Sequence, residues 1–474
     1  MKTRRATADK LDGTDAYGTL LEKAGRYALD YIRHIDERPP YPDGDSLENL
    51  KRLGGPLPAE GTDPHRVLEL LHRIGSPGTT AQIGGHCFGF VNDGLLPVAH
   101  AAGWLTDTWN QNGALAVMSP VAAELEEICE LWITELLGLE KGTAMGLVTG
   151  SSNAAICALA AARNTLLGRL GYDIAKDGLR NAPPIRIVLG EDAHSSIRAA
   201  LSVLGFGTRE IERVPTDELG RIRAEAVPKL DERTLLILQA GNVNGGSYDP
   251  LEELCGLAET AGAWTHVDGA FGLWAAASER HRHHVAGMER ADSWSTDAHK
   301  TLNVGYDCGI VLCRHRDALV AALQASGSYI QYGDRRDGML YTTEMSRRAR
   351  AAPLWALLKC LGAKGVEQLI DRLCDNAELF ASRLRQAGFT LINPVFFNQF
   401  MVACDTEAET EAVLRAIQDG GVCWCSGSRW KGKPVIRVSV CSHATTREDV
   451  DRSAAVFSAA LQKVRNAPRG GGAP

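Results

Sequence analysis

An amine and a carboxylate carry the chemistry written into this chain. Lys300 ends the polar stretch Ser295-Thr296-Asp297-Ala298-His299-Lys300, and Asp268 closes the short run Trp264-Thr265-His266-Val267 before Gly269-Ala270-Phe271. A lysine beside a histidine at the end of a polar turn is an amine placed to condense with an aldehyde. An aspartate ending a short apolar run is a carboxylate held at the C-terminal edge of a buried strand. As an ordered pair they meet the two demands of pyridoxal phosphate (PLP) chemistry: an amine that holds the cofactor covalently, and a carboxylate that keeps the pyridine nitrogen protonated so that the ring accepts electrons.

Three further fragments fit the same cofactor. Thr149-Gly150-Ser151-Ser152-Asn153 opens an alanine-rich helix. Small residues there let an anion approach, the N-terminal N–H groups and dipole favour a phosphate, and Ser151 and Ser152 add hydroxyl donors. A plain serine N-cap explains that fragment equally well. Asp192-Ala193-His194-Ser195-Ser196 follows a strand ending at Gly190, which positions the His194 imidazole to stack on a pyridine ring. A structural histidine is the alternative. Ala270 is small enough to pack against the ring's other face. For Asp268 the competing role is an N-cap, but open α/β sheets bind ligands at the C-terminal ends of parallel strands. His299 is a candidate phosphate donor, and Asp297 a brace for the lysine turn.

The elements that must hold these groups alternate. Helical patterns at 97–109, 120–138, 152–168, 194–204 and 251–262 intersperse with strand-like runs at 185–189, 235–239, 264–267 and 310–312. Such β/α alternation predicts an α/β fold with a mostly parallel sheet covered by helices on both faces. The expected organisation is an N-terminal helical arm over 1–83, a large cofactor-binding domain over 84–345, and a small C-terminal α/β domain over 346–466. A long helix at 353–387 and strands near 399–403 and 435–440 belong to that last region. A Gly/Pro-rich tail over 467–474 is expected to be disordered.

Bulk properties narrow the class. The chain has 474 residues and a formal net charge of −7, and no basic stripe that would serve a nucleic-acid surface. Its twelve cysteines are scattered without zinc spacing, which reads as reduced thiols in a cytoplasmic protein. No apolar run approaches membrane length. His281-Arg282-His283-His284 has no acidic or cysteine partner at ligand spacing and reads as a solvated loop, so no metal is expected. Phe88, Phe90, Trp104 and Trp109 read as core by default, with Phe88 and Phe90 as candidates for a substrate pocket.

In the order and spacing of these motifs the chain resembles the group II PLP-dependent amino-acid decarboxylases, the family of the aromatic-L-amino-acid, histidine, glutamate and cysteine-sulfinate enzymes. The resemblance runs from about residue 15 to 466. It is carried by Gly150-Ser151-Ser152, Ala193-His194-Ser195, Gln239-Ala240-Gly241-Asn242-Val243-Asn244, His266-Val267-Asp268-Gly269-Ala270, Asp297-Ala298-His299-Lys300, and Ser346-Arg347-Arg348 before Trp355. It implies the aspartate-aminotransferase type of fold (fold type I) and a homodimer with active sites at the subunit interface. By motif match it makes Lys300 the cofactor lysine, Asp268 the partner of the pyridine nitrogen and His194 the stacking residue. Ala270 then lies beneath the ring, Ser151, Ser152 and His299 on the phosphate, and Asn244 near the ring hydroxyl.

Two departures bear on substrate and product. Glutamate decarboxylases carry His-Pro-Arg-Phe-Phe where this chain has His86-Cys87-Phe88-Gly89-Phe90, and no Lys or Arg occurs between Arg73 and Lys141. With His86, Phe88, Phe90 and Trp109 as pocket candidates, that favours an aromatic or uncharged amino acid, unless a cation comes from the partner chain or a later loop. The loop before Ser346 is short, and the tyrosine expected to protonate the substrate carbon has no clear counterpart. Tyr341 is nearest, in the Gly-containing stretch Asp334–Tyr341 that reads as mobile, ahead of Tyr329 and Tyr332. The expected reaction is α-decarboxylation to an amine. The competing readings are an aldehyde synthase, an acidic amino-acid decarboxylase, and a catalytically dead PLP-fold binding module.

Overall fold

A computed structural model describes residues 14–209, 211–325 and 332–467. Tyr329 and all but Ala467 of the expected tail lie outside the described residues. Seven strands form the central sheet: β1 (Ala144–Val148), β2 (Arg186–Gly190), β3 (Ile211–Val214), β4 (Thr234–Gln239), β5 (Trp264–Asp268), β6 (Ser293–Asp297) and β7 (Gly309–Cys313). Their order is β1-β7-β6-β5-β4-β2-β3. Strands β3, β2, β4, β5 and β6 pair in parallel, and β7 runs antiparallel to both β6 and β1. A second, antiparallel sheet holds β8 (Thr390–Leu391), β9 (Gln399–Ala403), β10 (Ser426–Trp430) and β11 (Lys433–Ser439). The expected α/β architecture is therefore what the chain adopts.

The principal helices are α1 (Thr14–Arg33), α2 (Pro97–Trp109), α3 (Pro120–Leu136), α4 (Ser151–Arg169), α5 (Ser195–Val203), α6 (Leu251–Ala261), α7 (Ala351–Gln386), α8 (Glu407–Asp419) and α9 (Arg447–Asn466). Proline at the first turn starts α2 and α3, where a missing N–H costs nothing. Thr446 and Asp449 close a reciprocal capping box on α9. The long α7 serves two cores: Leu354, Leu357 and Leu358 pack with the central sheet's helices, whereas Leu373, Ala377 and Phe380 pack with the small sheet. Gly362 (φ 61°, ψ 179°) breaks its helical geometry between them.

Strands β4 to β7 are buried along their whole length, so most of them read as apolar runs. Strand β6, Ser-Trp-Ser-Thr-Asp, is the exception and was read from sequence as a polar turn. Its two serine hydroxyls find partners on β5, which is what permits their burial. Helix α4 crosses this face, and its start presses against β7. A Cβ on Gly309 would lie 2.3 Å from the Cα of Gly150, so only glycine allows the approach.

Candidate active site

A cavity of about 380 Å³ opens at the C-terminal ends of β4 and β5, and its wall includes Ser151, His194, Asp268, Ala270 and Lys300. The structure thus brings together five residues singled out from sequence. Gln239, Gly241, Val243, Phe271, Val91, Asn92, Phe90 and Arg437 complete the lining.

Lys300 Nζ lies 3.0 Å from Asp297 Oδ2. The other oxygen of that carboxylate accepts the backbone N–H of Ser151 at 2.6 Å, so Asp297 ties the lysine turn to the first residue of α4. His299 Nδ1 accepts from the Cys308 amide at 3.1 Å, which leaves its Nε2 carrying the hydrogen, 3.6 Å from Asp297 Oδ1. Burial lowers the His299 pKa, against the pull of Asp297 in the opposite direction.

Asp268 is buried at the end of β5. Desolvation pushes its carboxyl up to about 6, while the positive charge of Lys300 and the hydroxyl of Ser295, 3.3 Å away, act to lower it. A buried carboxylate in that condition is the natural partner of a protonated ring nitrogen. His194 Nδ1 accepts the Ser196 amide at 3.2 Å and lies 2.7 Å from its hydroxyl. The hydrogen of the neutral ring is then on Nε2. Burial first, then the charges of Lys300, Arg198 and Arg437, lowers its pKa and favours that neutral form.

The donor set fits pyridoxal phosphate: an amine, a buried carboxylate, a flat neutral imidazole, a small residue at 270 and a helix N-terminus share one cavity wall. The model of the pyridoxal-dependent decarboxylase conserved domain matches residues 48–399. This chain belongs to the pyridoxal-dependent decarboxylase family. It is 28% identical to an aromatic-L-amino-acid decarboxylase of Bacillus atrophaeus over 447 residues, covering 89% of this chain and 90% of that one. It is 29% identical to the acidic amino acid decarboxylase GADL1 of Xenopus tropicalis over 363 residues, covering 73% and 70%. Among solved structures, Oryza sativa TDC with PLP and tryptamine superposes with a TM-score of 0.87 at 21% identity, over 96% of this chain and 99% of that one. The protein is a PLP-dependent amino-acid decarboxylase of fold type I, a carboxy-lyase whose cofactor is pyridoxal 5'-phosphate.

Several sequence-based placements need correction. Tyr341 is not on the cavity wall. It is buried by the edge strand β1, with the Arg336 guanidinium 4.1 Å from its ring centre and its hydroxyl accepting from Arg316 at 2.9 Å. The stretch around it is not a mobile loop either, because Arg336 is buried against Glu126 (3.1 Å) and Glu130 (2.8 Å). Tyr332 donates to the Ala325 carbonyl. Phe88 is fully buried against Phe380 in the core beside the second sheet and does not line the cavity. His86 is buried 3.5 Å from Asp449, and Trp109 is half-exposed at the end of α2, both off the wall. Phe90 alone of the four pocket candidates lines the cavity.

Ser152 faces solvent on the first turn of α4, and the Asn244 side chain accepts from Ser428 of β10 at 2.7 Å instead of lining the cavity. The histidine run at 281–284 is not a solvated loop. His284 stacks on the buried Tyr248 at 5.0 Å, and His281 lies 3.8 Å from Asp371. Among the described residues no group of three His, Cys, Asp or Glu could hold a metal ion, and no helix is long and apolar enough to cross a membrane.

Arg437, on β11, is the cavity residue that sequence reasoning missed. It is 8% exposed, its Nε has no hydrogen-bond partner, and its guanidinium sits 5.8 Å from the Phe90 ring centre. Burial without a paired anion drags its pKa down to about 10. The strand pattern of Val435–Val440 was legible, but nothing in it says that one alternate residue faces a cavity at the edge of the other sheet.

Proposed function

We propose that the enzyme removes the α-carboxylate of an L-amino acid with an aromatic or otherwise uncharged side chain, releasing CO2 and an amine. The observation that carries the reading is one cavity shared by Lys300, Asp268 and His194, with four apolar side chains on the same wall. Those four are Phe90, Val91, Val243 and Phe271, and Phe90 stacks on Trp424 at 5.9 Å. The cofactor supplies an electron sink for the bond that breaks. Lys300 would hold the cofactor covalently, Asp268 would keep its ring nitrogen protonated, and His194 would orient the substrate carboxylate. With Tyr341 elsewhere, return of a proton to the α-carbon falls to the protic groups on the wall, Lys300 and the Nε2–H of His194. Retention of Lys300 and Asp268 in one cavity speaks against a catalytically dead module.

A second reading, an acidic substrate, is favoured by Arg437. A guanidinium that gripped the departing carboxylate would stabilise the ground state and slow its loss as neutral CO2, so an unpaired arginine suits a carboxylate that survives the reaction. Holoenzyme offered the common amino acids, DOPA and cysteine sulfinate, with CO2, amine and peroxide followed, separates the readings. The first predicts the highest kcat/KM for an aromatic substrate. An acidic preference that Arg437→Met abolishes, with turnover of uncharged substrates intact, establishes the second. Peroxide and aldehyde in place of amine would make the enzyme an aldehyde synthase, and absence of CO2 from every substrate would overturn decarboxylation.

We further read the chain as a homodimer with sites at the interface. Trp104, Leu105, Trp109, Val117 and Met118 are exposed at the end of α2 and before α3, and Leu21, Leu29 and Ile32 along α1, and exposed large apolar side chains of this kind support a subunit contact. All twelve cysteines are free thiols, which supports a cytoplasmic setting.

A further inference from the structure

Behind Asp268 the two central strands carry a line of buried polar groups that the chemistry described so far does not use. Trp264, His266 and Asp268 alternate along one face of β5, and Ser293 and Ser295 along the same face of β6. The parallel register sets His266 beside Ser293 and Asp268 beside Ser295. The line is continuous: Trp264 Nε1 to Ser293 Oγ is 3.0 Å, Ser293 Oγ to His266 Nδ1 3.0 Å, His266 Nε2 to Ser295 Oγ 3.3 Å, and Ser295 Oγ to Asp268 Oδ1 3.3 Å. All of these side chains are buried.

The direction of the hydrogens follows from one end. An indole N–H can only donate, so Ser293 accepts from Trp264 and has its own hydrogen to give to His266 Nδ1. Burial brings the His266 pKa down to about 3, so its ring is neutral. An imidazole that accepts at Nδ1 carries its hydrogen on Nε2. That hydrogen goes to Ser295 Oγ, which in turn donates to the Asp268 carboxylate. The opposite tautomer strands the Ser293 hydrogen without an acceptor and spends the Ser295 hydrogen on the histidine, turning an oxygen lone pair toward Asp268. Both defects are costly in a buried site.

We infer that Trp264, Ser293, His266 and Ser295 form a directed hydrogen-bond chain that acts on Asp268 as a set of positioning residues. Its last bond holds the carboxylate in its ionised form and thereby keeps the shared proton on the ring nitrogen of the cofactor. Ser295 is the terminal donor and His266 the tautomer that fixes its orientation. Neither touches the substrate or the reacting atoms. The inference rests on the reading that Asp268 meets the ring nitrogen.

Holoenzyme reconstituted with PLP labelled with 15N at the ring tests this directly. In Ser295→Ala the ring-nitrogen resonance should move from the protonated toward the unprotonated position, and kcat should fall roughly ten- to hundredfold, as expected for loss of a hydrogen bond to a charged acceptor. Ser295→Thr, which keeps the hydroxyl, should restore both. Ser293→Ala alone should shift the resonance in the same direction by less, and combined with Ser295→Ala it should add less than about twofold in rate, because both act through one terminal bond. A wild-type resonance in Ser295→Ala, or full additivity of the two alanine variants, overturns the chain. Asp268→Asn separates the levels: if it too leaves the resonance unmoved, the assignment of Asp268 to the ring nitrogen fails, whereas if it alone moves the resonance, only the chain fails.

Discussion

The floor and the mouth of the cavity are built on different terms. The floor, β5 and β6 with Asp268, Asp297 and the turn to Lys300, is buried and hydrogen-bonded inside one sheet. The mouth is assembled from segments far apart in sequence: Phe90, 56% exposed with φ 56°, and Arg437 reaching in from the second sheet. The floor meets demands set by the cofactor, which are the same whatever amino acid is bound. On the proposed reading the mouth meets the substrate, and an exposed aromatic and an unpaired guanidinium there lie outside the central sheet. Chemistry and selectivity are therefore separable, and substitutions should sort accordingly.

The largest effect is expected at the floor. Asp268→Asn should retain cofactor yet lose decarboxylation by three to four orders of magnitude, about 4–5.5 kcal/mol of transition-state stabilisation, because an amide does not hold the ring nitrogen protonated. Single-turnover CO2 release measures it, and near-normal turnover would remove the electron-sink role. Next comes a contrast between two phenylalanines two residues apart. Phe88→Ala should destabilise the protein by about 3 kcal/mol or more in urea unfolding. Phe90→Ala should change stability by only about 0.5 kcal/mol while raising KM. Equal stability losses would erase the distinction between core and mouth.

At Tyr341 the expected effect on the reaction is nil. Tyr341→Phe should cost about 1 kcal/mol through the lost bond from Arg316 and leave the ratio of amine to peroxide unchanged. A shift toward aldehyde and peroxide in that variant would return Tyr341 to the reaction.

These contrasts also mark what could be read in advance. Runs such as Thr234–Gln239 and Gly309–Cys313 are apolar along their length because both faces are covered, and they were legible as buried strands. The motif residues Lys300, Asp268, His194, Ser151 and Ala270 were legible because their residue types and order are dictated by the cofactor. Strand β6 was not, since its serines and Asp297 are polar and become buriable only through partners on β5 and α4 that a one-dimensional pattern does not show. The Asp334–Tyr341 stretch misled for a related reason. Two arginines and a glycine read as an exposed loop, but Glu126 and Glu130 of α3 neutralise the buried Arg336. Arg437 escaped notice because its meaning depends on how β11 of the second sheet lies against the cavity at the ends of β4 and β5.

The central claim is that Lys300 is the amine of this site. Reducing the holoenzyme with borohydride and mapping the modified peptide by mass spectrometry tests it without knowledge of the substrate. The account predicts one pyridoxyl label, on Lys300, and none in Lys300→Ala, with the cofactor of that variant removable by dialysis. A label on any other lysine, or unchanged covalent labelling of Lys300→Ala, would contradict it.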